Sequence, residues 1–200
     1  MPSYTLYGPE DFRICPWKNG QGSTTELYAA YPPGEADYLW RISMAGVTQD
    51  GDFSDFSGYD RVLLLLEGAG MTLFFGGHGT CQLQKPLDMA RFSGDWETRA
   101  VLKEGGIRDF NVITRRDGCH AEVRTFSEES FSKEQEYPLD FRGDHLLLYL
   151  PKNPGTLHAS SGENLTLPPG HLLHFAGPQK GRWTLRCGEG IEVVITERVE

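Results

Sequence analysis

With 200 residues, 38% of them hydrophobic and 24% charged, the chain can build one sizeable core or two closely packed halves. A net charge of -9 excludes a general nucleic-acid binder, which needs a basic face for phosphates. The longest apolar run, 62–66, is far too short to span a bilayer, and residues 1–10 carry neither the basic nor the apolar segment of a leader, so no signal peptide, no membrane partner and a cytoplasmic location are expected.

The first informative stretch is Trp17-Lys18-Asn19-Gly20-Gln21-Gly22-Ser23-Thr24-Thr25-Glu26. It has no hydrophobic period. Glycines that free the backbone stand beside directional donors, which suits a polar or anionic small ligand or, equally, a solvated loop leading into a strand.

Strand signals then follow at short intervals. Residues 38–47 alternate, with Trp40, Ile42 and Met44 on one face and Arg41, Ser43 and Ala45 on the other. A nearly continuous apolar run at 61–67, closed by Gly68-Ala69-Gly70 and followed by 71–75, predicts a hairpin. Gly76-Gly77-His78-Gly79 lacks the lysine and helix of a phosphate loop and reads as a turn. Further strands are predicted at 81–83, 89–92, 98–102 and 109–115, and 120–126 leads out of the first half.

Residues 127–138, rich in Glu, Ser and Lys, read as a solvated connection. Beyond it a second set of strands is predicted at 144–150, 155–159, 164–167, 171–176, 181–187 and 191–198. No window carries a helical apolar period, so helices should be few and short. Residues 144–150 echo 60–66, and Leu167-Pro168-Pro169-Gly170-His171 echoes the segment 90–95. The expected architecture is all-β: a small antiparallel barrel at 1–126, then a connection and a smaller barrel at 127–200. Cys15, Cys81, Cys119 and Cys187 are widely spaced and should be reduced thiols.

Several blocks occur in order between residues 17 and 116: the segment 17–26; Trp40-Arg41-Ile42-Ser43; Asp50-Gly51-x-Phe53-Ser54-x-Phe56-x-Gly58-x-Asp60-Arg61; Leu66-Glu67-Gly68-x-Gly70; Phe92-x-Gly94-Asp95; and Asp109-Phe110-Asn111-Val112-x-Thr114-Arg115-Arg116. In these blocks the chain resembles the HutD/Ves family. The resemblance implies a bicupin of jelly-roll type, two small barrels in one chain with the conspicuous pocket in the first. It also implies an association with histidine utilisation or stress responses, and no settled activity. Cupins pair through barrel edges, which leaves a homodimer open.

Cupin metal centres use a His-x-His pair, a carboxylate and a later His. Here the corresponding strand reads Leu63-Leu64-Leu65-Leu66-Glu67, so a first barrel without metal or other cofactor is expected. His171 and His174 fall on opposite strand faces, and with His158 they read as ordinary hydrogen-bonded histidines. Arg41 inside a small barrel needs a partner: a ligand carboxylate, which its planar fork fits, or an ion pair with Glu26 or Asp109. Arg61 stands at the mouth of the next strand. Asn111 shares a face with Asp109 and Ile113. Arg115 and Arg116 read as surface pairs.

The expected site is a pocket for a small carboxylate-bearing metabolite, with urocanate and N-formylglutamate suggested by the resemblance. Arg41 or Arg61 clamps the acid, Asn19 and Asn111 bond its polar atoms, Trp17 and Phe53 form apolar walls, and Lys18 and Ser43 complete the set. The competing reading is a metal-independent isomerase or lyase, with Glu26, Glu67 or Asp109 as base and Lys18 as acid.

Overall fold

The structure, a computed structural model, describes residues 4–17, 22–126, 136–177 and 181–198. In chain order the strands are β1 (Tyr4–Tyr7), β2 (Arg13–Pro16), β3 (Ser23–Ala30), β4 (Trp40–Val47), β5 (Gly51–Asp52), β6 (Tyr59–Glu67), β7 (Met71–Phe74), β8 (Thr80–Leu83), β9 (Met89–Ser93), β10 (Arg99–Leu102), β11 (Ile107–Arg115), β12 (Cys119–Phe126), β13 (Tyr137–Pro138), β14 (His145–Tyr149), β15 (Gly155–Ala159), β16 (Asn164–Leu167), β17 (Leu172–Ala176), β18 (Trp183–Arg186) and β19 (Gly190–Glu197). Among the described residues the helical content is two single turns, Pro9–Asp11 and Gly76–His78. None is long and apolar enough to cross a membrane.

The strands form four open sheets, ordered β2-β3-β4-β11-β6-β9, β5-β10-β7-β8, β1-β17-β14-β19-β12 and β13-β18-β15-β16. Each has two edge strands and none closes on itself, so the chain is all-β as expected and its sheets are open rather than closed into barrels. Adding eight to each strand number converts β4-β11-β6-β9 into β12-β19-β14-β17 and β5-β10-β7-β8 into β13-β18-β15-β16. The chain thus repeats one eight-stranded plan.

The chain divides into two compact units: Phe12–His120 with the end from Arg198, and Ala121–Glu197 with the start up to Asp11. The sequence places the boundary at 126 and keeps the start in the first half. The start belongs instead with the second unit, because β1 pairs antiparallel with β17, Tyr4 opposite Phe175.

The predicted hairpin at 61–75 does not form. β6 pairs with β11 and β9, whereas β7 pairs with β10 and β8 in the other sheet. Gly68 and Gly70, at φ +106° and +119°, carry the chain from one sheet to the next. A Cβ on Gly70 would lie 2.5 Å from the Leu83 carbonyl oxygen, so close passage against β8 requires glycine there.

In the unit containing β2 to β11, both sheets contribute to one core: Leu63 and Leu65 from β6, Leu73 from β7, Leu83 from β8, Phe92 from β9 and Ala100 from β10. Each fully buried leucine stabilises by roughly 2 kcal/mol relative to exposure. The other unit fills the corresponding interior with Phe126, Leu146, Leu148, Phe175, Trp183 and Val194. There the inward positions of β14 are Leu146 and Leu148, so the echo aligning residues 60 and 144 has the right topology but is one residue out in register.

Candidate functional site

The six-stranded sheet presents three rows of side chains to one cavity. Ile113 on β11 lies between Arg41 on β4 and Arg61 on β6. One step along, Asn111 lies between Ser43 and Leu63, and the next row sets Asp109 between Ala45 and Leu65. Alternation along each strand keeps Arg41, Ser43 and Ala45 on the cavity side, while Trp40, Ile42 and Met44 are buried on the reverse. Cys15 and Thr24 extend the third row across β2 and β3. The cavity has a volume of about 650 Å³, and Trp17, Phe53 and Phe56 wall it from outside the central strands.

A directed chain of hydrogen bonds runs along β11. Arg61 Nη2 donates to Asn111 Oδ1 at 2.8 Å, and Asn111 Nδ2 donates to Asp109 Oδ1 at 2.6 Å. Arg61 is 6% exposed and Asp109 is 2%. Burial pulls the Arg61 pKa down to about 10, against the attraction of Asp109, so its charge persists at neutral pH. Burial pushes Asp109 up to about 7, although Arg61, Asn111 and the Ala45 N–H all favour its ionised form.

The guanidiniums are housed in aromatic rings rather than carboxylates. The Arg61 guanidinium carbon lies 5.0, 4.9 and 5.0 Å from the ring centroids of Phe53, Phe56 and Phe92. That of Arg41 lies 4.9 Å from Tyr38 and 5.6 Å from Phe56. The buried Nε atoms of both arginines have no hydrogen-bond partner. Among the described residues Arg41 makes no ion pair, so the alternative of a pair with Glu26 or Asp109 is not realised. Both arginines line the cavity, with more N–H donors than partners.

The loop carrying Phe53 and Phe56 is fixed from behind. The Phe53 N–H donates to Thr98 O at 2.8 Å, and the Phe56 N–H to Gly94 O at 3.2 Å. Arg116 donates to Asp60, Ser93, Asp95 and Tyr59 O, at 2.6 to 3.2 Å. Asp95 also accepts from the Gly58 N–H, and the Ser93, Gly58 and Arg116 donors hold its carboxyl far below the ordinary range. Arg115 pairs with Glu35 and Asp117. Both arginines therefore make the surface pairs expected of them, and Arg116 additionally organises the cavity wall, a role invisible without the loop's path.

The HutD family model matches residues 9–194. The chain belongs to the HutD family. A protein of Pseudomonas putida described as an uncharacterized 21.2 kDa protein in the hutC 3' region is 35% identical over 130 residues, 65% of this chain and 68% of that one. Protein Ves of Citrobacter koseri is 40% identical over 118 residues, 57% of this chain and 61% of its own length. The solved structure of HutD from Pseudomonas fluorescens SBW25 superposes with a TM-score of 0.84 at 27% identity, covering 98% of this chain and 100% of that one. A cupin conserved barrel domain protein from Leptotrichia buccalis shares the fold alone, with a TM-score of 0.51 at 8% identity over 88% of each chain.

Within this HutD-family cavity the donor set does not fit a divalent metal. Two guanidiniums repel a cation and offer no lone pair, and only Asp109 supplies a buried carboxylate. Among the described residues no three His, Cys, Asp or Glu side chains converge. His171 Nδ1 bonds Pro169 O at 3.0 Å, His158 Nδ1 bonds Asn164 Oδ1 at 2.6 Å, and His174 meets His145 at 3.0 Å, so the three histidines serve separate local bonds.

Of the residues expected at the site, the structure brings together Trp17, Arg41, Ser43, Phe53, Arg61 and Asn111. Lys18 and Asn19 lie outside the described residues. Trp17 orients its indole by donating from Nε1 to Thr24 Oγ1 at 2.9 Å. Asn111 proves to be a link between Arg61 and Asp109, its amide oxygen already engaged. Of the three carboxylates weighed as bases, only Asp109 lines the cavity; Glu67 stands exposed, 3.7 Å from Arg108. Cys15 and Asp52 also line the cavity, as does Thr24 of the polar stretch. The two threonines at 24 and 25, as β-branched residues, were the signal that this polar stretch is strand β3.

Proposed function

We propose that this HutD-family protein is a small-molecule-binding bicupin that takes a carboxylate-bearing metabolite, without metal, in the cavity of its first unit. The observation that carries the reading is Arg41, which lines a cavity of about 650 Å³ beside Arg61 and whose guanidinium makes no ion pair among the described residues. A buried guanidinium edge left unbonded is costly, and a carboxylate supplies the two parallel acceptors that satisfy it. Ser43 and Trp17 complete the lining. The hutC-region name of the Pseudomonas putida relative supports acids of histidine breakdown, urocanate or N-formylglutamate, as ligands and a cytoplasmic role in modulating that flux.

Thermal unfolding with a panel of such acids tests this. A ligand at a hundred times its dissociation constant stabilises by about 2.7 kcal/mol. Wild type should respond to at least one acid and Arg41→Ala to none; a wild type indifferent to the whole panel overturns the reading.

A second reading, a metal-independent isomerase or lyase, is favoured by one observation: Asp109, raised to about 7, is poised near neutrality as a general base. Mass analysis after incubation with the same acids separates the two, since turnover at catalytic protein levels requires the enzyme.

A further inference from the structure

The hydrogen-bond chain through Asn111 has a direction, and that direction constrains what the cavity can hold. Arginine only donates, so the Asn111 atom facing Arg61 must be the oxygen, and the atom facing Asp109 must be the amide nitrogen. The Ala45 N–H adds a second donor to the Asp109 carboxyl. Above pH 7, where Asp109 is ionised, its carboxylate has about four acceptor positions, so two donors leave capacity for more, and it has nothing to give.

The opposite end of the cavity has the opposite character. Arg41 and Arg61 flank Ile113, four residues from Asp109 along β11, with unpartnered nitrogens and aromatic walls around them. Four residues of strand span about 13 Å, and the Arg61 side chain shortens that gap by reaching Asn111. Donors thus crowd the Ile113 row, and a buried acceptor stands in the Asp109 row.

Building on the carboxylate-binding reading, we propose that Asp109 is a specificity-determining residue: the cavity selects bipolar ligands, with a carboxylate at Arg41 and Arg61 and an N–H donor at Asp109, over diacids and simple acids of the same length. An ammonium, an amide N–H or a ring N–H satisfies Asp109. A second carboxylate there meets only acceptor oxygens, and a methyl group leaves a buried carboxylate unbonded.

Titration calorimetry with matched probes at about pH 8.5, where Asp109 is ionised, tests this. 5-Aminopentanoate, hexanoate and adipate differ only in the end remote from the acid, and 3-(imidazol-4-yl)propanoate and 3-phenylpropanoate form a second pair. In wild type the N–H-bearing member of each set should bind about tenfold more tightly or better. In Asp109→Asn, which keeps the shape, that preference should collapse to within about threefold. Wild type alone decides the matter should the variant fail to fold: adipate or hexanoate binding as tightly as 5-aminopentanoate overturns the proposal and leaves the carboxylate site standing. Binding of none of the five probes overturns both.

Discussion

The guanidiniums of Arg41 and Arg61 share one ring: both approach Phe56, at 5.6 and 4.9 Å from its centroid, and Arg41 contributes to lowering the Arg61 pKa. Two like charges held against one apolar wall, neither in an ion pair among the described residues, are an arrangement that stability alone does not favour. Arg41→Met should therefore stabilise the unliganded protein, by roughly 0.5–2 kcal/mol in denaturant unfolding, while abolishing the acid-induced shift. A loss of stability in that variant contradicts the reading of Arg41 as an unsatisfied group.

Arg61 behaves differently because it is a structural partner as well. Arg61→Ala leaves the Asn111 oxygen and Asp109 without their cation, a loss of about 3–5 kcal/mol. Arg61→Lys should recover only part of it, since an ammonium cannot reproduce the planar stacking on Phe53, Phe56 and Phe92. Equal stability of the lysine variant and wild type would show that charge alone matters.

Asp109 and His174 oppose one another in pH dependence. Asp109, raised by burial from 3.8 to about 7, keeps its proton in the folded state where the unfolded chain has lost it. Its contribution is complete below the lower value and is lost as pH rises toward 7. His174, lowered by burial and by His145 from 6.5 to about 4, contributes stability that is lost as pH falls between those values. Asp109→Asn should therefore show a steeper gain in stability between pH 4 and 6.5 than wild type. Superimposable curves for the two proteins refute this assignment of Asp109.

The wall loop depends on Gly94 and Arg116. A Cβ on Gly94 would lie 2.2 Å from the Phe56 carbonyl oxygen, so Gly94→Ala must displace Phe56 and should weaken acid binding as well as lower the melting temperature. Arg116→Ala removes donors to three side chains and one carbonyl at the surface. It should leave the fold intact and speed proteolytic cleavage within 53–59; an unchanged cleavage rate sinks the clamp.

The sequence was most legible where one strand face is apolar and the other polar. The alternation at 38–47 assigned Arg41 and Ser43 to a common side, and the spacing of Asp109, Asn111 and Ile113 did the same for β11. Period alone could not reveal that Ile113 stands between Arg41 and Arg61, because that depends on the register of three strands distant in the chain. β1 and β2 escaped notice because each is four residues long and largely exposed. The false hairpin at 61–75 arose because adjacent apolar strands with a glycine turn look alike whether they pair or part, and only the close approach of β8 and of Gly106 and Ile107 to the two glycines distinguishes the two.

The pairing of β1 with β17 has a consequence for synthesis. Strand β1 finds its neighbour only after some 170 more residues have been translated, since Tyr4 meets Phe175. The cavity-bearing unit, contiguous from Phe12 to His120, has nearly all its strands in hand long before that moment. A gene cut after codon 126 would consequently deliver a binding half trailing an orphaned leading strand, and a remainder lacking both β1 and β12 from one of its sheets.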